Sequence, residues 1–360
     1  MRTFVTVFLS TWIVIMITFQ PYGYYQATVI PIEKVASLKD PLMPWASVFA
    51  MEENHGKIYF SLQQGFRAGY GGMGGIYSID PETLDIQLEF PYSAAGAWWA
   101  EFPGASIGGC WGHVSVGDNV LWGGYAINDI NAVLVNIHQR QVKLLPDWTY
   151  EIWSLAEHKG MIYAGTSFDI YVSSDLQTWV KLPGTSRRLQ IMENVIWDIE
   201  FYNDTLYCIS NFLYRYDFNE GRLVELHYNI ETNTLKSLCV WRDKLWFSGF
   251  SSSLNENRTW LMSYDPATGA TTQTYVPANS IIDIIEHNDC LWLAGYTGPR
   301  ILGEHMHGNV GLLFRYDGET LEKIVEMQGC NGFVGLAGFD KYIYFGTFTG
   351  EVYRISIANL

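Results

Sequence analysis

The chain is poor in charge, and poorer still in positive charge. Only 16% of its 360 residues are Asp, Glu, Lys or Arg, and 22 basic against 37 acidic residues leave a formal net charge of −15. A phosphate-binding surface needs clustered Lys and Arg to release counterions. No basic run exists beyond the pair Arg187–Arg188, which excludes nucleic acid as a partner. Cysteine is scarce too. Cys110, Cys208, Cys239, Cys290 and Cys330 stand at irregular spacings without a Cys-x-x-Cys pair, which excludes the common zinc signatures. An odd count leaves at least one thiol free or paired between chains. One or two disulfides are open outside a cytoplasm, and buried free thiols are the reading for most of them. Helical periodicity is missing after residue 30. No His-Glu-x-x-His motif occurs.

What is abundant is apolar and aromatic material, at 48% and 16% of the chain. That supplies a large core and rules out a disordered composition. One long uncharged stretch opens the sequence: Arg2, then Phe4 to Phe19, with no charge before Glu33. It fits a signal peptide, a signal anchor or a buried helix. Its length is short for a full span, and the uncharged flanks Thr3 and Gln20 to Tyr25 can extend it. Arg2 ahead of the stretch directs the rest of the chain away from the cytoplasm. Cleavage has only a weak site near Ala27. Residues 1–26 are therefore read as a hydrophobic signal or signal-anchor helix, with membrane contact through it, and 27–360 as an exported domain.

That domain repeats itself. An alternating apolar run, a short polar turn and an apolar-aromatic run recur seven times, with the aromatic at Tyr59, Trp122, Tyr163, Tyr207, Trp246, Trp292 and Tyr344. Intervals between these aromatics run from 39 to 63 residues. The intervening turns, such as His-Lys-Gly and Tyr-Asn-Asp, are hairpin signals. A second hairpin follows in most repeats, written IYSIDPETLD, LMSYDPATGA and LFRYDGETLE. Its Asp-led turn is side-chain capped. Four strands per repeat is the unit of a propeller blade. The seventh repeat stops a strand short at Leu360, so the strand-like segment Ala27 to Ala36 is expected to close the ring as its outer strand. The expected fold class is all-β, a seven-bladed β-propeller.

Counting back from each aromatic gives two columns. Eight residues earlier stand Met51, Val114, Leu155, Ile199, Leu238, Ile284 and Leu336, all apolar and expected between blades. Nine residues earlier stand Ala50, His113, Ser154, Asp198, Ser237, Asp283 and Gly335, all small or polar and expected to face the central channel.

The repeat resembles the β-propeller superfamily over about residues 27–357. Its Tyr-Asp-Pro-x-Thr-Gly turns look like those of kelch and quinoprotein-type blades, and Ser173-Ser174-Asp175-Leu176-Gln177-Thr178-Trp179 is similar to the Asp-box hairpin of sialidase-type repeats. The paired glycines of kelch blades and the Trp-Asp of tryptophan–aspartate repeats are absent, so no single propeller family is matched. An Asp-box stabilises a turn, so this resemblance implies fold and not catalysis.

In such a fold the connections between strands two and three and between blades share one face, and here these are the long ones: Gln63 to Gly75, Pro91 to Gly109, Phe250 to Thr259 and Tyr296 to Asn309. Long loops on a rigid scaffold collect binding residues. Trp98, Trp99 and Tyr70, with Trp111 nearby in sequence, suit stacking on sugar rings or anchoring a protein, or else pack their own loops. Arg67 and Arg300 are further ligand-binding candidates. Glu304, His305 and His307 form an E-H-x-H cluster that suits a metal, or a solvated loop. His113, Asp198 and Asp283 suit a cation at the channel, or a hydrogen-bonded lining. No cofactor motif is present, and a divalent cation is the small ligand left open. Arg67, Arg187, Arg188 and Arg300 fall in upper-face loops, but no Phe-Arg-Ile-Pro-like segment precedes the blades as a sialidase-type site requires. Asn203-Asp204-Thr205 in a turn and Asn257-Arg258-Thr259 in a long loop fit the N-glycosylation sequon.

The sequence thus points to an exported or membrane-anchored surface module that binds protein or glycan through its long-loop face, on a cell or a virion. Two alternatives stay open. One is an exported carbohydrate-active or other hydrolase or lyase working over the channel. The other is an assembly subunit of a coat or filament.

Overall fold

The computed structural model describes residues 30–38, 46–64, 74–92, 107–126, 131–145, 151–167, 169–185, 195–226, 234–252, 257–298, 310–358 and 360. They form seven four-stranded antiparallel sheets, the seven blades of a β-propeller. The innermost strands are Ala46–Asn54, Ile107–Val116, Ile152–His158, Asp198–Tyr202, Thr234–Trp241, Ser280–His287 and Phe333–Phe339. Each packs against the inner strand of the next blade, and the seventh packs against the first.

The repeated aromatic is buried in every blade, from Tyr163 at 7% exposure to Trp122 and Tyr344 at 0%. Apolar side chains gather in seven clusters, one at each junction between neighbouring blades. The core is therefore a ring of interfaces, and each blade is held by its two neighbours. Packing there is tight. A Cβ on Gly346 of blade seven would stand 2.3 Å from Val48 Cγ1 of blade one. Gly346→Ala is expected to overpack that junction and cost about 1–3 kcal/mol. A thermal melt checks it; an unchanged midpoint would mean that the junction relaxes.

The turns joining strands three and four repeat one device. The carboxylates of Asp80, Asp175, Asp217, Asp265 and Asp317 each accept two backbone N–H bonds from residues two and three positions on. Asn136 accepts one such bond in blade two. The sequence resembling an Asp-box in blade three is one of these turns, with Leu176 at φ 58°. A side-chain acceptor at the first turn position replaces a backbone one and fixes the hairpin.

Blade seven is completed from the other end of the chain. Ile32–Ser37 pairs antiparallel with Glu351–Ser356 as the outermost strand of the sheet. Lys34 Nζ lies 2.6 Å from Glu351 Oε1, and Arg354 Nε donates to Glu33 Oε2 at 2.7 Å. The hydrophobic segment 1–26 lies outside the described residues. Among the described residues no helix is long and apolar enough to cross a membrane. All five cysteines are free thiols, Cys110, Cys208 and Cys330 buried and Cys239 and Cys290 partly so.

Two sequence expectations are corrected. Asn257 opens the strand Asn257–Tyr264 and pairs with Ser252, so the hairpin extends into what was expected to be loop. Asn203 does occupy an exposed turn, at φ 46°. In blade two the strand before Trp122 is one residue longer and the inner-strand bulge shifts with it. His113 therefore pairs with Trp122 and stands level with Glu52 and Glu200, which pair with Tyr59 and Tyr207, rather than with Asp198 and Asp283. The position level with Met51 in that blade is Gly112, pressed against the Ser154 backbone, and Val114 packs on the cluster between blades two and three as expected.

Candidate functional site

The inner strands carry a recurring irregularity near their N-terminal ends. Pairing skips one residue at Phe49, Trp111, Trp153, Ser237 and Ile282, and two at Val334 and Gly335. A bulge places two residues opposite one and re-aims a side chain. Strict alternation would put Phe49 between blades with Met51. The bulge instead turns it out of that junction, onto the rings of Trp111 and Phe348.

A collar of rings results. Phe49 meets Trp111 edge-on at 4.5 Å between centroids, Trp111 stacks on Trp153 at 5.1 Å, and Trp153 meets Trp197 at 4.9 Å. In the other direction Phe49 contacts Phe348 at 5.7 Å, and Phe348 contacts Tyr296 at 6.3 Å. Val334 and Ile282 fill the gap near blades six and seven. Lys236 of blade five ends the arc, its Nζ 4.0 Å over the Trp197 ring. A side chain wedged between two blades can touch only one neighbour. Phe49, Trp111 and Trp153 each touch rings on both sides, which places them on the axial face where blades converge. All three, with Trp197 and Lys236, are partly exposed.

Below the collar the lining turns polar. Asp198 Oδ2 accepts from Leu238 N at 2.7 Å, Ser237 Oγ from Ile284 N at 2.9 Å, and Asp283 Oδ2 from Leu336 N at 2.8 Å. Each bond crosses to the next blade, so these side chains satisfy backbone donors beside the bulges. His113 Nδ1 stands 3.0 Å from Glu52 Oε2. Burial disfavours both charged forms, but the pair's mutual hydrogen bond and attraction outweigh it, raising the histidine and lowering the carboxyl. Burial pushes Asp198 up to about 7 against the opposing Leu238 N–H bond, and pushes Glu200 up to about 7 as well. Asp283 is raised by burial, offset by the charge of His113. At the mouth, burial lifts Glu151 to about 7 and draws Lys236 down to about 8.

Asp198 and Asp283 thus line one channel and act as acceptors between blades. Among the described residues no group of three or more His, Cys, Asp and Glu is arranged to hold a metal ion. Arg67, Tyr70, Trp98, Trp99, Arg300, Glu304, His305 and His307 lie outside the described residues, as do Arg187 and Arg188. The strands flanking those segments end on the face where the collar lies.

The collar was missed by the two columns. The signal sits one position earlier, ten residues before each aromatic, which reads Phe49, Gly112, Trp153, Trp197, Lys236, Ile282 and Val334. Correcting blade two by one residue replaces Gly112 with Trp111. Alternation assigns that column to the interior, and in blades one, two, three, six and seven a bulge at this position re-aims the side chain.

The chain matches no protein-family profile and no curated protein. Solved structures do match it. The extracellular domain of a protein assigned as a hybrid two component system from B. thetaiotaomicron aligns with 90% of this chain at 17% identity and a TM-score of 0.62. This chain spans only 39% of that one. Virginiamycin B lyase from Staphylococcus aureus aligns with 91% of this chain and 99% of its own length, at 13% identity and a TM-score of 0.63. The computationally designed Ika8 protein covers 90% of this chain at 12% identity and a TM-score of 0.54. Likeness at such low identity carries the fold alone, and the fold it carries is the β-propeller that the blades describe.

Proposed function

We propose that this protein is a surface-exposed recognition module whose ligand, a glycan, seats on the aromatic collar at the mouth of the channel. The observation behind this reading is the continuous run of rings from Tyr296 through Phe348, Phe49, Trp111 and Trp153 to Trp197, buried at Tyr296 and Phe348 and partly exposed from Phe49 to Trp197. Indole faces stack on the apolar faces of sugar rings and lose little conformational entropy in doing so. A rigid annulus built on seven strands is preorganised for that task. Surface exposure draws support from the uncharged N-terminal stretch and low charge, and from an extracellular domain among proteins of the same fold. A glycan-array screen followed by calorimetry tests the reading. Trp153→Ala is expected to weaken any glycan hit at least tenfold, about 1.4 kcal/mol or more, with little change in thermal midpoint. Hits that bind the Trp153→Ala and Trp197→Ala variants as tightly as the native chain would remove the collar from the site.

A second reading is an exported enzyme working over the channel. What favours it is that Asp198 and Glu200 are both held at about 7, where a carboxyl can give and take a proton near neutral pH. It requires turnover of a bound substrate that Glu200→Gln abolishes while binding persists.

A further inference from the structure

Lys236 is the cationic end of the collar, and it has no counter-charge among the described residues. Its backbone is fixed by the bulge at Ser237 and by Ser248 Oγ, which donates to the Lys236 carbonyl at 2.8 Å. Its ammonium is held over the Trp197 face, which is itself edge-on to Trp153. Desolvation alone acts on it, drawing its pKa to about 8, so the ammonium carries a penalty that an arriving anion would relieve.

The placement matters because the chain is strongly acidic. The capped Asp turns lie on the face opposite the collar, since they join strands three and four. The carboxyls below the collar are muted as well. Glu151 at the mouth and Asp198 and Glu200 below it are held at about 7, Asp283 is raised by burial, and Glu52 is paired with His113. The mouth beside Trp153 and Trp197 is therefore a local exception to the overall charge.

Resting on the collar reading, we propose that the glycan is an acidic saccharide, its ring on Trp153 and Trp197 and its anionic group on Lys236. A carboxylated and a sulfated sugar share the required chemistry. The aromatic platform supplies most of the contact, and the lysine selects for the anion.

The test titrates three oligomers of equal length against the whole chain by calorimetry: galacturonic acid, its methyl ester, and sulfated galactose. The acid is expected to bind at least tenfold tighter than the ester, and Lys236→Met to erase that difference. Lys236→Arg should restore part of it, and Trp153→Ala should weaken acid and ester together. Preference for the sulfated oligomer, lost in Lys236→Met, would identify sulfate as the source of the anion. Equal binding of acid and ester by the native chain would overturn the acidic-ligand proposal and leave the collar reading standing. Binding of any of the three that neither Trp153→Ala nor Lys236→Met alters would overturn both. Absence of binding by all three would overturn the acidic-ligand proposal, leaving the collar to the array.

Discussion

Asp198→Asn is expected to be the more stable protein at pH 7.5 and no more stable at pH 5, so that the sign of its effect on the melting midpoint reverses between the two. The reason lies in proton linkage. Burial holds Asp198 at about 7 in the fold, against an unfolded value near that of a free aspartate. Between roughly pH 4 and 7 the folded chain therefore keeps a proton that the unfolded chain has lost. Stability falls as pH rises through that window and levels off above it. Glu200, also at about 7, acts in the same direction. His113 adds to the trend, because a histidine raised by its partner contributes stability below its unfolded value and loses it as pH rises past the folded one.

Asparagine removes the ionisation penalty at position 198 and keeps an acceptor for Leu238 N. It gives up the second carboxylate oxygen, which accepts from Ile199 N at 2.9 Å, and that loss dominates at pH 5. The expected gain at pH 7.5 is on the order of 2 kcal/mol, reduced from the full pKa displacement because Asp198 is partly exposed. Calorimetric melts at the two pH values decide it. A variant less stable at both would mean that Asp198 is ionised in the fold at little cost.

Most of the architecture could be read from the sequence because it is periodic. The aromatic on each second strand must be buried for the blade to stand, so Tyr59 through Tyr344 mark the blades whatever the loops do. The turn aspartates are equally legible, since Asp80, Asp265 and Asp317 act within three residues of themselves. The collar was not legible, because it depends on bulges. Pairing that skips one residue leaves no compositional trace, and it transfers Phe49, Trp111 and Trp153 from the expected interior to the axis. The same indel-like slip hid the true level of His113. Lys236 was invisible for a further reason: a lone lysine gains meaning only from the Trp197 face beneath it, and the two are 39 positions apart.

Starting the chain at Leu38 instead of Ala27 is expected to lower the melting midpoint by on the order of 5–10 °C and to drive association in solution. The strand Ile32–Ser37 is the outer edge of blade seven, and removing it bares the row of backbone donors and acceptors on Glu351–Ser356. Ile32 and Ala36 are 7% and 3% exposed and belong to the clusters on either side of blade seven. Loss of their burial costs about 2–4 kcal/mol. Glu351, buried and paired with Lys34, would lose that ammonium and keep the Thr349 hydroxyl, which donates to its Oε2 at 3.2 Å. Arg354 would lose Glu33 but retain Tyr344 and the Pro81 carbonyl of blade one, so the ring junction itself should hold. A peptide spanning residues 30–38 added in trans should therefore restore the midpoint and the monomer together, because it re-pairs the edge. Ala36→Asp within the longer chain gives an independent check, placing a charge in the cluster with Val48 and Val352. Melts and gel filtration that leave the shortened chain unchanged would show that three strands suffice for blade seven, and that the ring is held by the inner strands alone.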